Sequence, residues 1–180
     1  MSTRRGPKRA QVLVRVQNAA SQKGFITFGP FRFACALGRS GIKTLKREGD
    51  GATPYGRFAL RRVLFNPAYT CRPRTPLATA AIRPGDGWCD AVDDCNYNRP
   101  VRHPYRSSAE RLWRDDGLYD LIVVLGHNDT PRVRGLGSAI FMHVARPGYL
   151  PTEGCIALKR TDLERLLSRL LRRCDIVIRT

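Results

Sequence analysis

Apolar positions near the start of the chain recur with a period of two. Val12, Val14 and Val16 occupy every second position, the spacing of a half-buried strand. Residues 25–28 and 31–37 flank Gly29-Pro30, which predicts two strands joined by a tight turn. Gly49-Asp50-Gly51 marks a sharp loop, and residues 58–65 return as a strand. From residue 66 to 106 the chain is rich in Pro, Gly and polar residues and shows little periodicity; irregular excursions of that length often carry function. Ser107-Ser108-Ala109-Glu110 has the spacing of a capping box and predicts a short helix through Trp113. Residues 121–125 are a continuous apolar run, suited to a strand buried on both faces, and residues 139–144 and 155–158 are further strand candidates. Thr161 and Glu164 form a second capping box. Leu163, Leu166, Leu167, Leu170 and Leu171 then fall at the spacing of a packed helix stripe, and residues 175–179 close as a strand.

Length and composition narrow the class. A chain of 180 residues with 42% hydrophobic content suits one globular domain, with no internal repeat and no domain boundary. No stretch approaches the ~20 apolar residues of a membrane-spanning helix. Residues 1–9 predict a disordered basic tail, and residues 10–180 the folded domain. Arg4, Arg5, Lys8 and Arg9 are not followed by the apolar segment of a signal peptide, since the run at 12–16 is short and broken by Arg15.

Charge adds a second constraint. Thirty-two Lys and Arg against 15 Asp and Glu give +17, a surface that draws polyanions. The basic residues are scattered from Arg4 to Arg179 without a zinc-finger, basic-zipper or aromatic-platform pattern, so nucleic acid is not selected. Cell-wall peptidoglycan, with its free carboxylates, and anionic lipid surfaces fit the charge equally well. The six cysteines show neither a CxxC nor a tight metal-ligand spacing. Cys89 and Cys95 bracket a short polar loop and are the pair best placed to bridge.

The candidate chemistry lies in Ile140-Phe141-Met142-His143 and Thr152-Glu153-Gly154-Cys155-Ile156. A Cys after Gly at a strand start offers a thiol and adjacent backbone N–H donors, and a His on a neighbouring strand offers a base. The same residues also admit plain packing. A zinc site of His127, His143 and Cys155 is chemically open but lacks an evident fourth ligand. His127 ends a buried strand as a pocket residue or a satisfied structural one, and His103 beside Pro104 reads as a loop residue. Arg99, in Tyr97-Asn98-Arg99, serves equally as a carboxylate fork or a loop clamp.

The order strand, His, loop, Thr-x-Gly-Cys-Ile resembles the signature of the L,D-transpeptidase (YkuD-like) catalytic domain. Gly49-Asp50-Gly51-Ala52-Thr53-Pro54-Tyr55-Gly56, Gly87-Trp88-Cys89-Asp90, Tyr97-Asn98-Arg99 and Gly137-Ser138-Ala139 extend the likeness, toward short single-domain members. The resemblance implies a mainly β fold, a β-sandwich of mixed sheets with one or two helices. It implies Cys155 as nucleophile and His143 as base, with the Gly154 and Cys155 N–H groups as oxyanion hole; Arg99, His127 and Thr152 are the candidate substrate contacts beside them. Peptidoglycan stem peptides are the implied substrates and carbapenem β-lactams an implied acylating probe, with no metal or organic cofactor. Such chemistry belongs on the periplasmic or cell-wall face. The chain departs from the pattern at Glu153, where a His is usual, at Ala157, where an Arg is common, and in a short loop between His143 and Cys155. Water as acceptor, giving an L,D-carboxypeptidase or endopeptidase, is the alternative within the family. A metal-dependent hydrolase and a non-catalytic basic binding module for cell-wall polymer or nucleic acid are the alternatives outside it.

Overall fold

Alternation at the first valines does what a period of two requires. In a computed structural model, which describes residues 10–180, β1 (Ala10–Arg15) buries Val12 and Val14 completely. The expected tail at 1–9 lies outside the described residues. The hairpin follows as β2 (Lys23–Phe28) and β3 (Phe31–Ala36), turning at Gly29 with φ of +56°, a region that Gly enters without steric cost. Then come β4 (Ile42–Lys43), β5 (Thr53–Pro54), β6 (Gly56–Phe65), β7 (Ala78–Ala81), β8 (Asp86–Cys89), β9 (Pro100–Arg102) and β10 (Ala109–Arg111). The chain finishes with β11 (Leu121–Leu125), β12 (Phe141–Val144), a 3-10 turn at Pro147–Tyr149, β13 (Ile156–Leu158), α1 (Arg160–Arg169) and β14 (Cys174–Arg179).

The architecture is mainly β, with mixed sheets and a single α-helix, as the sequence predicts. The large sheet has the order β11-β12-β13-β3-β2-β1-β14-β6-β7, and β6 also pairs with β11, so one sheet closes on itself. β8, β9 and β10 form a separate antiparallel sheet of order β10-β8-β9.

Two apolar clusters lie on opposite faces of the β11–β12 pair. Leu121, Val123 and Leu125 point into the main core with Met142, Ile156 and Leu158, while Ile122 and Val124 join Phe141, Tyr119 and Cys155 in the second. That two-sided burial explains the unbroken apolar run of β11. α1 packs Leu163, Leu166 and Leu167 into the main core; Leu170, just beyond the helix, joins the same core, but Leu171 is 60% exposed, so the predicted stripe stops one residue short.

Several expectations are corrected. Residues 107–113 form no helix: 109–111 are β10, drawn into a ladder with β8, and the Ser107 hydroxyl donates to Asp94 Oδ2 (2.7 Å) instead of capping. Thr161 lies inside the first turn of α1, whose N-cap position is Lys159 without a side-chain bond, so the second capping box does not form. The stretch 66–106 holds three strands, each too short to show a period. All six thiols are free. Cys89 faces inward from β8 at 0% exposure, whereas Cys95 is exposed, its thiol directed at Asp94 Oδ1 (3.6 Å), so the expected bridge is not made. No helix among the described residues is long and apolar enough to cross a membrane.

Candidate active site

β12 and β13 run parallel in the register Met142↔Ile156 and His143↔Ala157. Side chains alternate across a strand, so His143 and Phe141 share the face opposite Met142. Cys155, one residue before β13, joins Phe141 in the second apolar cluster on that same face. The sheet register thus brings His143 and Cys155 to one wall, and both line a cavity of 530 Å³.

The turn before Cys155 is held by its own residues. Gly154 has φ of +131°, and a Cβ there would meet the Ala52 carbonyl oxygen at 2.8 Å, so only glycine fits. The Thr152 hydroxyl donates to the Cys155 carbonyl (2.6 Å) and accepts from the Gly154 N–H (3.2 Å). Thr152 lines the cavity, but its hydroxyl is spent on shaping the turn, and the Gly154 N–H is engaged in the resting site.

Cys155 is 9% exposed. Its Sγ–H donates to the Ala139 carbonyl (3.2 Å), and its sulfur accepts the Phe141 N–H (3.4 Å). Burial pushes this thiol up to about 12; the Glu110 carboxylate adds to the shift, while the Phe141 N–H and Lys46 oppose it. His143 is 6% exposed and is held down to about 4, chiefly by burial. Its Nδ1 lies 2.9 Å from the Val144 carbonyl oxygen. A carbonyl can only accept, so the neutral ring carries its proton on Nδ1 and leaves the lone pair on Nε2. Tyr119 packs edge-on against this ring at 5.3 Å. Thiol and imidazole are therefore both neutral at rest, and a thiolate arises only by proton transfer.

Charged groups surround this pair. Glu48, Asp90, Glu110, Arg114 and Arg146 line the same cavity. Arg114 is tied to Asp116 and lies over the Tyr119 ring. Arg146 is exposed, and among the described residues its guanidinium has no hydrogen bond or ion pair. Glu153 stands at the rim in an exposed ion pair with Arg39 (2.8 Å).

Other sequence candidates lie elsewhere. Arg99 is exposed and does not line the cavity; its carbonyl accepts the Cys89 N–H. His127 also lies outside the lining, with Nε2 at 2.9 Å from the Leu136 carbonyl oxygen and its ring edge-on to Phe58. Among the described residues no group of three or more His, Cys, Asp or Glu is arranged to hold a metal ion. Sequence reasoning missed Glu110, Arg114, Tyr119 and Arg146. No periodicity marks them as site residues; Glu110 carried only a capping-box signal that pointed to a helix start, and Arg146 lies far from the irregular stretch.

A family model described as the L,D-transpeptidase catalytic domain matches residues 9–178. No curated protein and no solved structure matches the chain.

Proposed function

Since the chain belongs to the L,D-transpeptidase catalytic domain family, we propose that it is a peptidoglycan L,D-transpeptidase in which Cys155 is the nucleophile and His143 the base. One observation carries this reading: Cys155 and His143 line one cavity, and the Val144 carbonyl fixes the imidazole with Nε2 unprotonated.

Nε2 takes the thiol proton as sulfur attacks the carbonyl of an L,D-peptide bond in a stem peptide. The N–H groups of Cys155 and Gly154 hold the oxyanion, Gly154 exchanging its bond to Thr152 for the stronger acceptor. The imidazolium returns its proton to the leaving amine, and a thioester remains on Cys155. An acceptor amine on a neighbouring stem then releases it. No cofactor enters this scheme. Ala157 supplies no cation, so the free guanidinium of Arg146 takes the substrate carboxylate. The substrate sets the working place of the enzyme on the cell-wall face.

The test is incubation with purified muropeptides, followed by mass spectrometry of the products. Crosslinked dimers are expected from the unsubstituted protein and none from Cys155→Ala. A carbapenem should add once to the intact protein and not to Cys155→Ala. Turnover by a folded Cys155→Ala variant would end the nucleophile assignment.

A further inference from the structure

The cavity that holds Cys155 also gathers carboxylates that the scheme above does not use. Glu48, Asp90 and Glu110 line it, and the charges of Asp90 and Glu48 both act on Glu110. Glu48 is committed: its Oε2 accepts the Tyr97 hydroxyl (2.5 Å) and its Oε1 the Gly49 N–H (3.3 Å). Glu110 accepts the Tyr119 hydroxyl at Oε1 (2.5 Å). Two further groups of the lining are orphans. Asp90 Oδ1 and Ser138 Oγ are buried with no hydrogen-bond partner among the described residues, and Ser138 is only 7% exposed. Native folds rarely leave such atoms unsatisfied, and both belong to one cavity lining.

We propose that Asp90, Glu110 and Ser138 form an ammonium-binding subsite that captures the primary amine of the acyl acceptor. The proposal rests on the acyl-enzyme reading given above. An ammonium brings three donors and no acceptor, which matches two carboxylates and a hydroxyl able to accept. A carboxylate ligand would be repelled there. These carboxylates are not grouped to hold a metal ion.

The chemistry balances. The bound ammonium gives one proton to Glu110, whose affinity for protons burial has raised. The freed amine nitrogen attacks the thioester carbon, forming the C–N bond as the C–S bond breaks. Its second proton passes through His143 to the departing sulfur, which restores the thiol. The product amide keeps one N–H, and Glu110 releases its proton to solvent. Water, lacking a positive charge, gains little from the subsite, so the carboxylates favour aminolysis over hydrolysis.

The test measures how the acyl-enzyme partitions. Purified tetrapeptide muropeptides serve as donor and acceptor, and mass spectrometry gives the ratio of crosslinked dimer to hydrolysed monomer. This ratio is set after the thioester forms, so it does not depend on the acylation rate. Glu110→Gln should lower it at least ~10-fold, the scale of one charged hydrogen bond, and Asp90→Asn and Ser138→Ala should lower it in the same direction. Glu110→Gln should also speed acylation by a carbapenem, because it removes a negative charge that opposes thiol ionisation. A damaged site would slow both steps; if Glu110→Gln does so, Ser138→Ala and Asp90→Asn decide. An unchanged ratio in those two variants, with the thioester still forming, overturns the subsite alone. A thioester that never forms in the unsubstituted protein overturns the transpeptidase reading and the subsite together.

Discussion

Burial shifts the range over which His143 titrates. An ordinary imidazole is half protonated near pH 6.5, but this ring keeps its lone pair until the pH falls to about 4. The rate of carbapenem acylation should therefore hold from neutrality down through pH 6 and fall only as the pH approaches 4. A fall centred near 6.5 would show a solvated base. His143→Ala should lose ~10²–10⁴-fold at neutral pH, with the loss shrinking in alkali as the unassisted thiol ionises. The same shift acts on stability. The unfolded ring binds a proton below about pH 6.5, while the folded one does so only near 4, so this contribution is complete above the unfolded value and is lost as pH falls through the folded one. At this scale the motif pointed to Cys155 and His143, and the fold brings those two residues to the wall of one cavity. The sequence misled at Glu110, whose spacing from Ser107 imitates a helix start while β8 supplies a stronger partner for the same backbone.

Elements were legible in proportion to their length and to the number of faces they bury. β11 could be read from its apolar run because both of its faces meet apolar clusters. β8 and β10 escaped because strands of three or four residues contain one or two inward positions, too few to show a period. α1 was found through its stripe, though its ends were misjudged, since the main core needs only the leucines that reach it. Leu166, 1% exposed, and Leu171, 60% exposed, make a matched test. Leu166→Ala should cost ~2–5 kcal/mol through lost burial and a residual cavity, and Leu171→Ala within about 0.5 kcal/mol. Urea denaturation of both variants measures this, and equal costs would mean that α1 is not anchored through its buried stripe.

On the scale of the molecule, a chain of net charge +17 contains a cavity that is itself partly acidic. The two signs act over different distances. On the proposed function, the surface charge should draw a polyanionic wall polymer from afar, a pull that weakens as the Debye length shrinks from ~30 Å at 0.01 M salt to ~8 Å at 0.15 M. The cavity carboxylates act only on a group already bound. Added salt should therefore depress kcat/KM toward polymeric peptidoglycan far more than toward a soluble muropeptide. Equal sensitivity for the two substrates would locate the attraction in the cavity and leave the surface charge without a role in encounter.

The closure of the large sheet depends on a strand from late in the sequence. β14 stands between β1 and β6, pairing residues 10–15 with residues 174–179. While the protein is being made, β1 and β6 leave the ribosome long before the segment that joins them, and their waiting edges are open to pairing with other chains. The ring can close only once synthesis has passed residue 179. Chains halted before Cys174 should therefore aggregate or be degraded, even though the thiol and the imidazole have already been made.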